Sequence, residues 1–298
     1  MRLLLALIIT FSSCVDDTRT LPASTGMNSE VLFVVDDLLW NSKIEFLVSN
    51  IFEEDILGLP QKEAVFRIIR VRTAAFKAIL KTHRNIVIIT KSKKDSYIQR
   101  NKWSSGQIVT QLFWDGNENR MNEELKETKE EYIQEELKWM RSRCAKNSQK
   151  KIETIIKSNF GIECILPKEY EVVKNEASFF WANYNPTISD EIKNIMIFSF
   201  IPKKNNLQQE ILEKIDSVFA EYLVGEKEGS YVKIESRYPP YYFNNTYRGL
   251  WKLENGFMGG VFIAKTYFQK EKIIISSGII FAPQSRKRKY VKELEAIL

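Results

Sequence analysis

Between Asn117 and Phe160 the chain abandons the strand-like runs on either side of it for a long stretch of Glu and Lys. That stretch carries one narrow apolar stripe: Met121, Leu125, Tyr132, Met140 and Cys144. Apolar residues recurring every three to four positions mark one face of an α-helix. Glu123 with Lys126 and Glu135 with Lys138 add i,i+3 charge pairs, which support a solvated helix surface. Ile152, Ile155, Ile156 and Phe160 continue a helical face, and Gly161 supplies a C-terminal stop. The pattern predicts one long charged helix, or two broken near Asn147-Ser148. A helix of this length between strand-rich segments restricts the fold to the α+β class.

Before it, Glu30–Asp36 (EVLFVVD) reads as a buried strand and Leu38–Phe52 as a helix ended by Leu59-Pro60. Ala64–Val71, Asn85–Thr90 and Gln107–Trp114 read as strands, with a short helix at Ala74–Leu80. After it, strands are expected at Ser178–Tyr184, Asn194–Phe200, Ser230–Glu235, Tyr247–Leu253, Gly260–Tyr267 and Lys272–Phe281. Helices are expected at Leu207–Leu223 and from Tyr290 to Leu298. The halves share an order at an offset of 164 residues: Val31 with Ile195, Phe66 with Ser230, Arg84 with Arg248. The expected fold is therefore α+β, in two pseudo-repeated halves of mainly antiparallel sheet with packed helices. The first half spans residues 30–165 and the second 166–298. The alternative is coincidence among generic strand-helix patterns.

The N-terminus gives an address. Arg2 precedes an unbroken apolar run from Leu3 to Ile9, followed by Ser12, Ser13 and Cys14. A transmembrane helix needs about 20 apolar residues, so this run is too short to span. It fits a secretory signal peptide over residues 1–13. A cysteine at the junction resembles a bacterial lipobox, in which Cys14 is acylated and becomes the first residue. Two or more acyl chains anchor a protein stably, so the predicted partner is a membrane, reached through lipid on Cys14. Residues 14–29, rich in Ser, Thr and Pro, read as a flexible tether. The expected location is the periplasmic face of the outer membrane. Asp16-Asp17 resembles an acidic export signal, which keeps cell-surface display as the alternative.

Composition narrows the function further. A net charge of +6 and a pI near 9.0 permit contact with anionic lipid or glycan, while export argues against a nucleic-acid partner. The one histidine, His83, and the cysteines Cys144 and Cys164 are too few for a zinc site built from several such residues. The two cysteines are either a disulfide or two small buried hydrophobes. Ser148-Gln-Lys-Lys151 and Ser230-Tyr-Val-Lys233 match S-x-x-K but lack its companion elements. Gly256, Gly259 and Gly260 lie between two strands, which suits a hairpin better than a phosphate loop. No catalytic residue, metal or cofactor is assigned. An enzyme would need acids such as Asp36 and Glu235 to converge with His83.

The segment richest in binding chemistry runs from Tyr231 to Phe262. Tyr238-Pro-Pro-Tyr-Tyr-Phe243 is followed by Tyr247-Arg248-Gly249-Leu250-Trp251 and Phe257-Met258. Pro239-Pro240 imposes an extended path, and Tyr, Trp and Arg dominate binding hot spots. Tyr238, Tyr241, Tyr242, Tyr247, Arg248, Trp251 and Met258 are the candidate binding surface, for an envelope glycan, peptide or protein. The alternative is that they cap a core. Arg286-Lys-Arg-Lys289 sits where a helix begins, against the dipole, and reads as a solvated turn or an anion-facing patch.

Several motifs together resemble an uncharacterised domain-of-unknown-function family of Bacteroidota lipoproteins. They are Leu21-Pro-Ala-Ser-Thr-Gly26, Val31–Asp36 with Trp40, Leu59-Pro60-Gln61, Arg84-Asn85, Phe180-Trp181 and Gly229-Ser230-Tyr231. Arg248-Gly249-Leu250-Trp251, Met258-Gly259-Gly260, Ala282-Pro283 and Lys287-Arg288 complete the set. Where that family often has Met-Gly-Gly-Pro, this chain has Val261. The resemblance implies a lipid anchor and an envelope location, and no activity. The favoured function is a non-catalytic binding or structural module; the alternative is a hydrolase acting on an envelope glycan or peptide.

Overall fold

Strand β1 (Glu30–Val34) is buried along its whole length, as expected of a strand covered on both faces. In the computed structural model, which describes residues 20–298, it lies near the middle of a five-stranded sheet. The leader and Cys14 lie outside the described residues. β1 pairs in parallel with β2 (Arg67–Val71) and β3 (Asn85–Lys91). β3 pairs in parallel with β5 (Ile108–Trp114), and β4 (Tyr97–Arg100) closes that edge antiparallel to β5. A helical crossover, α1 (Asp37–Leu39) and α2 (Glu45–Phe52), joins β1 to β2. Parallel pairing requires such a crossover.

The other sheet is antiparallel: β6 (Glu171–Asn175), β7 (Phe179–Tyr184), β8 (Ile192–Phe200), β9 (Tyr231–Ile234), β10 (Tyr241–Phe243), β11 (Thr246–Glu254), β12 (Gly259–Gln269) and β13 (Lys272–Phe281). Their order is β10-β11-β12-β13-β8-β7-β6, with β9 sharing the β10 edge of β11. Short turns join β10 to β13 in sequence, which dictates antiparallel neighbours.

The helices α3 (Glu118–Lys146), α4 (Lys150–Phe160) and α6 (Arg288–Ile297) contribute to the core shared by the two sheets. α3 starts at Asn117, whose side chain accepts from Arg120 N, and buries Met121, Leu125, Thr128, Tyr132, Glu136 and Met140. The chain breaks at Asn147, and α4 ends at Gly161 in the left-handed conformation, φ 69°. The C-terminal helix α6 packs on α3 and on the larger sheet. A Cβ on Gly278 would meet Leu294 at 2.4 Å, so a side chain there would push α6 off β13. One core joins Val31, Phe33 and Val87 of the first sheet to α3, α6 and Ile195, Ile263 and Ile280 of the second. A separate core under α5 (Leu207–Tyr222) covers the opposite face of the larger sheet.

The α+β class, the packed helices and the long charged helix follow the expectation, and antiparallel pairing predominates over the chain. The two-half repeat does not hold. β1 has β2 and β3 as parallel neighbours, whereas the matching β8 pairs antiparallel with β13 and β7 and with neither β9 nor β11. The constant offset aligned strand patterns whose pairing is unrelated, and the first sheet is mostly parallel. The short helix expected at Ala74–Leu80 is two 3-10 turns, Thr73–Ala75 and Ala78–Thr82.

Part of the tether is docked. Thr25 N donates to Thr82 O at 2.8 Å, and Arg84 N donates to Thr25 O at 2.9 Å. Ser24 N donates to Ser105 O at 3.1 Å, and Ser105 N to Pro22 O at 2.8 Å. Backbone pairing thus fixes residues 22–25, which the sequence places in a flexible linker. Next along, Gly26 takes φ +91°, and a Cβ there would meet His83 Nε2 at 2.4 Å.

Candidate functional site

The aromatic segment is a hairpin. Asn244 and Asn245 both have positive φ, 46° and 58°, the geometry of a two-residue turn that matches strand twist. Tyr241 pairs with Arg248, Tyr242 with Tyr247, and Phe243 with Thr246. Side chains alternate along a strand, so the candidate surface splits in two. Tyr242, Tyr247 and Trp251 belong to the face that packs toward α5. There the Tyr242 and Tyr247 rings lie 4.6 Å apart, and Trp251 is buried with its Nε1–H donating to Ile280 O at 3.1 Å. Met258 packs half-buried on the same core. Tyr238 stands in the preceding loop and is exposed. Trp251 and Tyr247 are therefore core residues, while Tyr241 and Arg248 face the other way.

On that other face the hairpin forms one wall of a cleft of about 390 Å³. Tyr241 and Phe243 stack at its mouth, with centroids 6.5 Å apart. Ile263 and Lys265 of β12 lie across from Arg248 and Thr246 in register. Val291 and Glu295 come from α6 and Leu298 from just after it, Ile133 and Leu137 from α3, and Glu54 to Leu57 from the loop after α2. The walls are thus apolar in the middle and charged at defined points.

Cations and acids share the cleft lining, where Arg248, Lys265 and Lys292 stand among Glu54, Asp55, Glu130 and Glu295. Arg248 forms an ion pair with Glu295 through Nη2 and donates from Nη1 to Leu57 O at 3.1 Å, yet its buried Nε–H has no partner. Gly58, at φ +83°, lets this loop approach: a Cβ would meet Arg248 O at 2.7 Å. Lys265 makes no hydrogen bond or ion pair among the described residues. Burial pushes its ammonium below the usual lysine range, Arg141 adds to this, and Glu295 opposes it. The ammonium lies 5.4 Å from the centre of the Tyr267 ring, and a partly desolvated cation without a paired carboxylate favours an anion that can reach it. Lys265 sat inside an expected strand, and the signal for it was a charge on the face shared by Ile263 and Tyr267.

The enzyme constellation does not assemble. Asp36 follows the C-terminal end of β1 and His83 precedes β3, and the strands are parallel with Leu32 opposite Ile86. Seven residues of register separate them, about 23 Å at about 3.3 Å per residue. His83 is buried, and its Nδ1 shares a 3.1 Å hydrogen bond with Asn85 O. Burial pushes the imidazole below its usual range, against that bond and Glu30. Glu235 belongs to the other sheet, where Arg237 holds its carboxyl down at about 2. Cys144 and Cys164 are unbridged; burial raises both thiols, Cys164 to about 12. Among the described residues no group of three or more His, Cys, Asp or Glu is placed to hold a metal ion, and no helix is long and apolar enough to cross a membrane.

The basic cluster has a partner the sequence did not show. The backbone N–H groups of Lys287 and Arg288, at the start of α6, donate to the Glu63 carboxylate at 2.7 and 2.9 Å. Arg288 also donates to Ala64 O at 2.7 Å. A carboxylate at a helix N-terminus offsets the dipole and satisfies free donors.

Residues 148–298 match a family model described as "Domain of unknown function (DUF4837)". Residues 24–150 match another, described as "Domain of unknown function (DUF8532)". The two meet at the break between α3 and α4. No curated protein matches the chain.

Proposed function

Since the chain belongs to the family described as Domain of unknown function (DUF4837), we propose its function from the cleft and the leader: an envelope lipoprotein, anchored through Cys14, that binds rather than converts its ligand. The ligand is an envelope peptide bearing a free carboxylate and an apolar side chain. The observation that carries this reading is the pair of unsatisfied cationic groups, Arg248 Nε and Lys265, inside a cleft rimmed by Tyr241 and Phe243. A carboxylate there would recover desolvation cost already incurred by Lys265, and charge-assisted hydrogen bonds are the stronger kind. The stacked aromatics offer rigid apolar area at low ordering cost. The scatter of Asp36, His83 and Glu235 lends the hydrolase alternative no support.

Calorimetry with short peptides ending in a free carboxylate, against the same peptides amidated, tests the binding reading. Carboxylate peptides should bind at least tenfold tighter, and Lys265→Met should erase that preference while leaving the melting temperature in place. Equal binding of amidated peptides, or no effect of Lys265→Met, would overturn it. For the anchor, mass spectrometry of the membrane fraction should find an acylated N-terminal Cys14 peptide. A Cys14→Ala protein that stays fully membrane-bound would rule the anchor out.

A further inference from the structure

Among the described residues, the outer face of the five-stranded sheet is covered by the two 3-10 turns and Trp103 and fringed with lysines that form no ion pair. Leu32, Val34, Ile86 and Val109 form its small core, with Phe76, Leu80 and Trp103 packed over them. The stretch from Ala64 to Lys94 holds nine Lys or Arg and no Asp or Glu. Arg67, Arg70 and Arg72 are paired with Glu30 or Asp37. Lys77, Lys81 and Lys102 have no ion pair among the described residues; Lys102 and Lys81 instead lie 4.5 and 5.8 Å from the centre of the Trp103 ring. Ala78 takes φ +37°, strained for a residue with a side chain, and Ile79 beside it is 71% exposed. An exposed isoleucine on the same 3-10 turn as Leu80, which packs with Trp103 beneath two lysines, suits a membrane interface. There the ring sits at headgroup level and long cationic chains snorkel to it.

We propose that this patch, centred on Ile79, Trp103, Lys81 and Lys102, rests on an anionic phospholipid surface and sets the protein's orientation on the membrane. The proposal rests on the lipid-anchor reading of Cys14. The occupant follows from chain length. Residues 22–25 are hydrogen-bonded to Thr82, Arg84 and Ser105, immediately beside the patch. Six residues separate Cys14 from Thr20, a span of at most about 20 Å at about 3.3–3.6 Å per residue. A lipid on Cys14 therefore keeps the face beside residues 22–25 within reach of the bilayer. Leu21, 42% exposed, continues the apolar area toward the anchor. Basic side chains near anionic lipid supply the second signal that a lipid anchor commonly needs. α3, which lines the cleft, packs on the opposite side of the same sheet.

Amide hydrogen exchange of the full acylated protein tests this. The protein is reconstituted in phosphatidylethanolamine vesicles with and without phosphatidylglycerol. Peptides covering residues 73–83 and 101–106 should exchange several-fold more slowly when phosphatidylglycerol is present, while the hairpin at 241–248 is unchanged. The variant Ile79→Asp, Lys81→Glu, Lys102→Glu, all surface changes, should lose that protection yet remain vesicle-bound through its lipid. Identical exchange in wild type and variant would overturn the proposal. So would protection that follows protein density instead of anionic lipid, which would make a second copy the occupant. Failure of the anchor reading looks different: Cys14 then carries no acyl mass.

Discussion

The strongest energetic prediction concerns a buried ion pair that fastens α6 to the first half. Lys292 Nζ lies 2.6 Å from Glu136 Oε2, 2.9 Å from Ser29 Oγ and 3.2 Å from Val65 O. All three ammonium protons are thus used. Ser29 Oγ in turn donates to Glu136 Oε1 at 3.0 Å, and the ammonium sits 4.4 Å from the centre of the Phe66 ring. The Lys292 and Glu136 side chains are 6% and 2% exposed. Burial pushes the Lys292 ammonium below the usual lysine range, and Glu136 opposes that. Removing one partner leaves the other charge buried and nearly alone, at a cost of about 3–5 kcal/mol. That is a large share of a total stability of about 5–15 kcal/mol. Lys292→Met should therefore shift guanidinium unfolding, followed by circular dichroism at pH 7, by that amount. The double variant Glu136→Leu, Lys292→Met removes both charges and should return to within about 2 kcal/mol of wild type. A Lys292→Met cost below about 1 kcal/mol, or a double variant showing the sum of both single losses, would refute the reasoning.

Glu63→Ala removes the carboxylate from the α6 N-terminus and should cost about 1–2 kcal/mol in the same unfolding assay, with Glu63→Asp intermediate. Trp251→Ala empties a core position and should cost about 3–5 kcal/mol; Tyr241→Ala, at the cleft mouth, should leave the melting temperature nearly unchanged while weakening peptide binding. His83 is held neutral by burial, with its folded pKa below the ordinary 6.5. The unfolded chain then binds the extra proton first, so stability is full above about pH 6.5 and falls as pH drops toward the folded pKa. Melting temperature should decline between pH 7 and pH 5 more steeply in wild type than in His83→Gln.

The sequence made the elements legible where the pattern was local. β1 was visible as a continuous apolar run, and α3 and α4 as two helical stripes parted near Asn147. β4, β6 and β10 were missed because their residues are mostly exposed, so no apolar alternation marked them. The sheet order was illegible because pairing is non-local, and an offset of 164 residues between look-alike strands carried no information about partners. Similarly, the Glu63 cap on α6 joins residues 224 and 225 positions apart. The candidate surface was half legible. Its composition singled out one hairpin, but treating it as a loop hid the period-two alternation. That alternation sends Tyr241 and Arg248 to the cleft and Tyr242, Tyr247 and Trp251 to the opposite face. Asn244-Asn245 between two aromatic runs was the available hairpin signal.

What the sequence least suggested is that the cleft belongs to both halves at once. Its hairpin, its lysine strand and α6 come from the segment matched by one family model; the Glu54–Leu57 loop and α3 come from the segment matched by the other. The parts that join the halves are the parts that shape the cleft. Arg248 reaches Leu57 O, Glu63 caps α6, and the Glu136–Lys292 pair holds α6 against α3 one helical turn or less from Glu295. Because Glu295 in turn pairs with the Arg248 guanidinium, displacing α6 would remove one of the contacts that orient that side chain. A ligand that spans Lys265 and the α3 wall would stabilise the junction by mass action, in proportion to its occupancy.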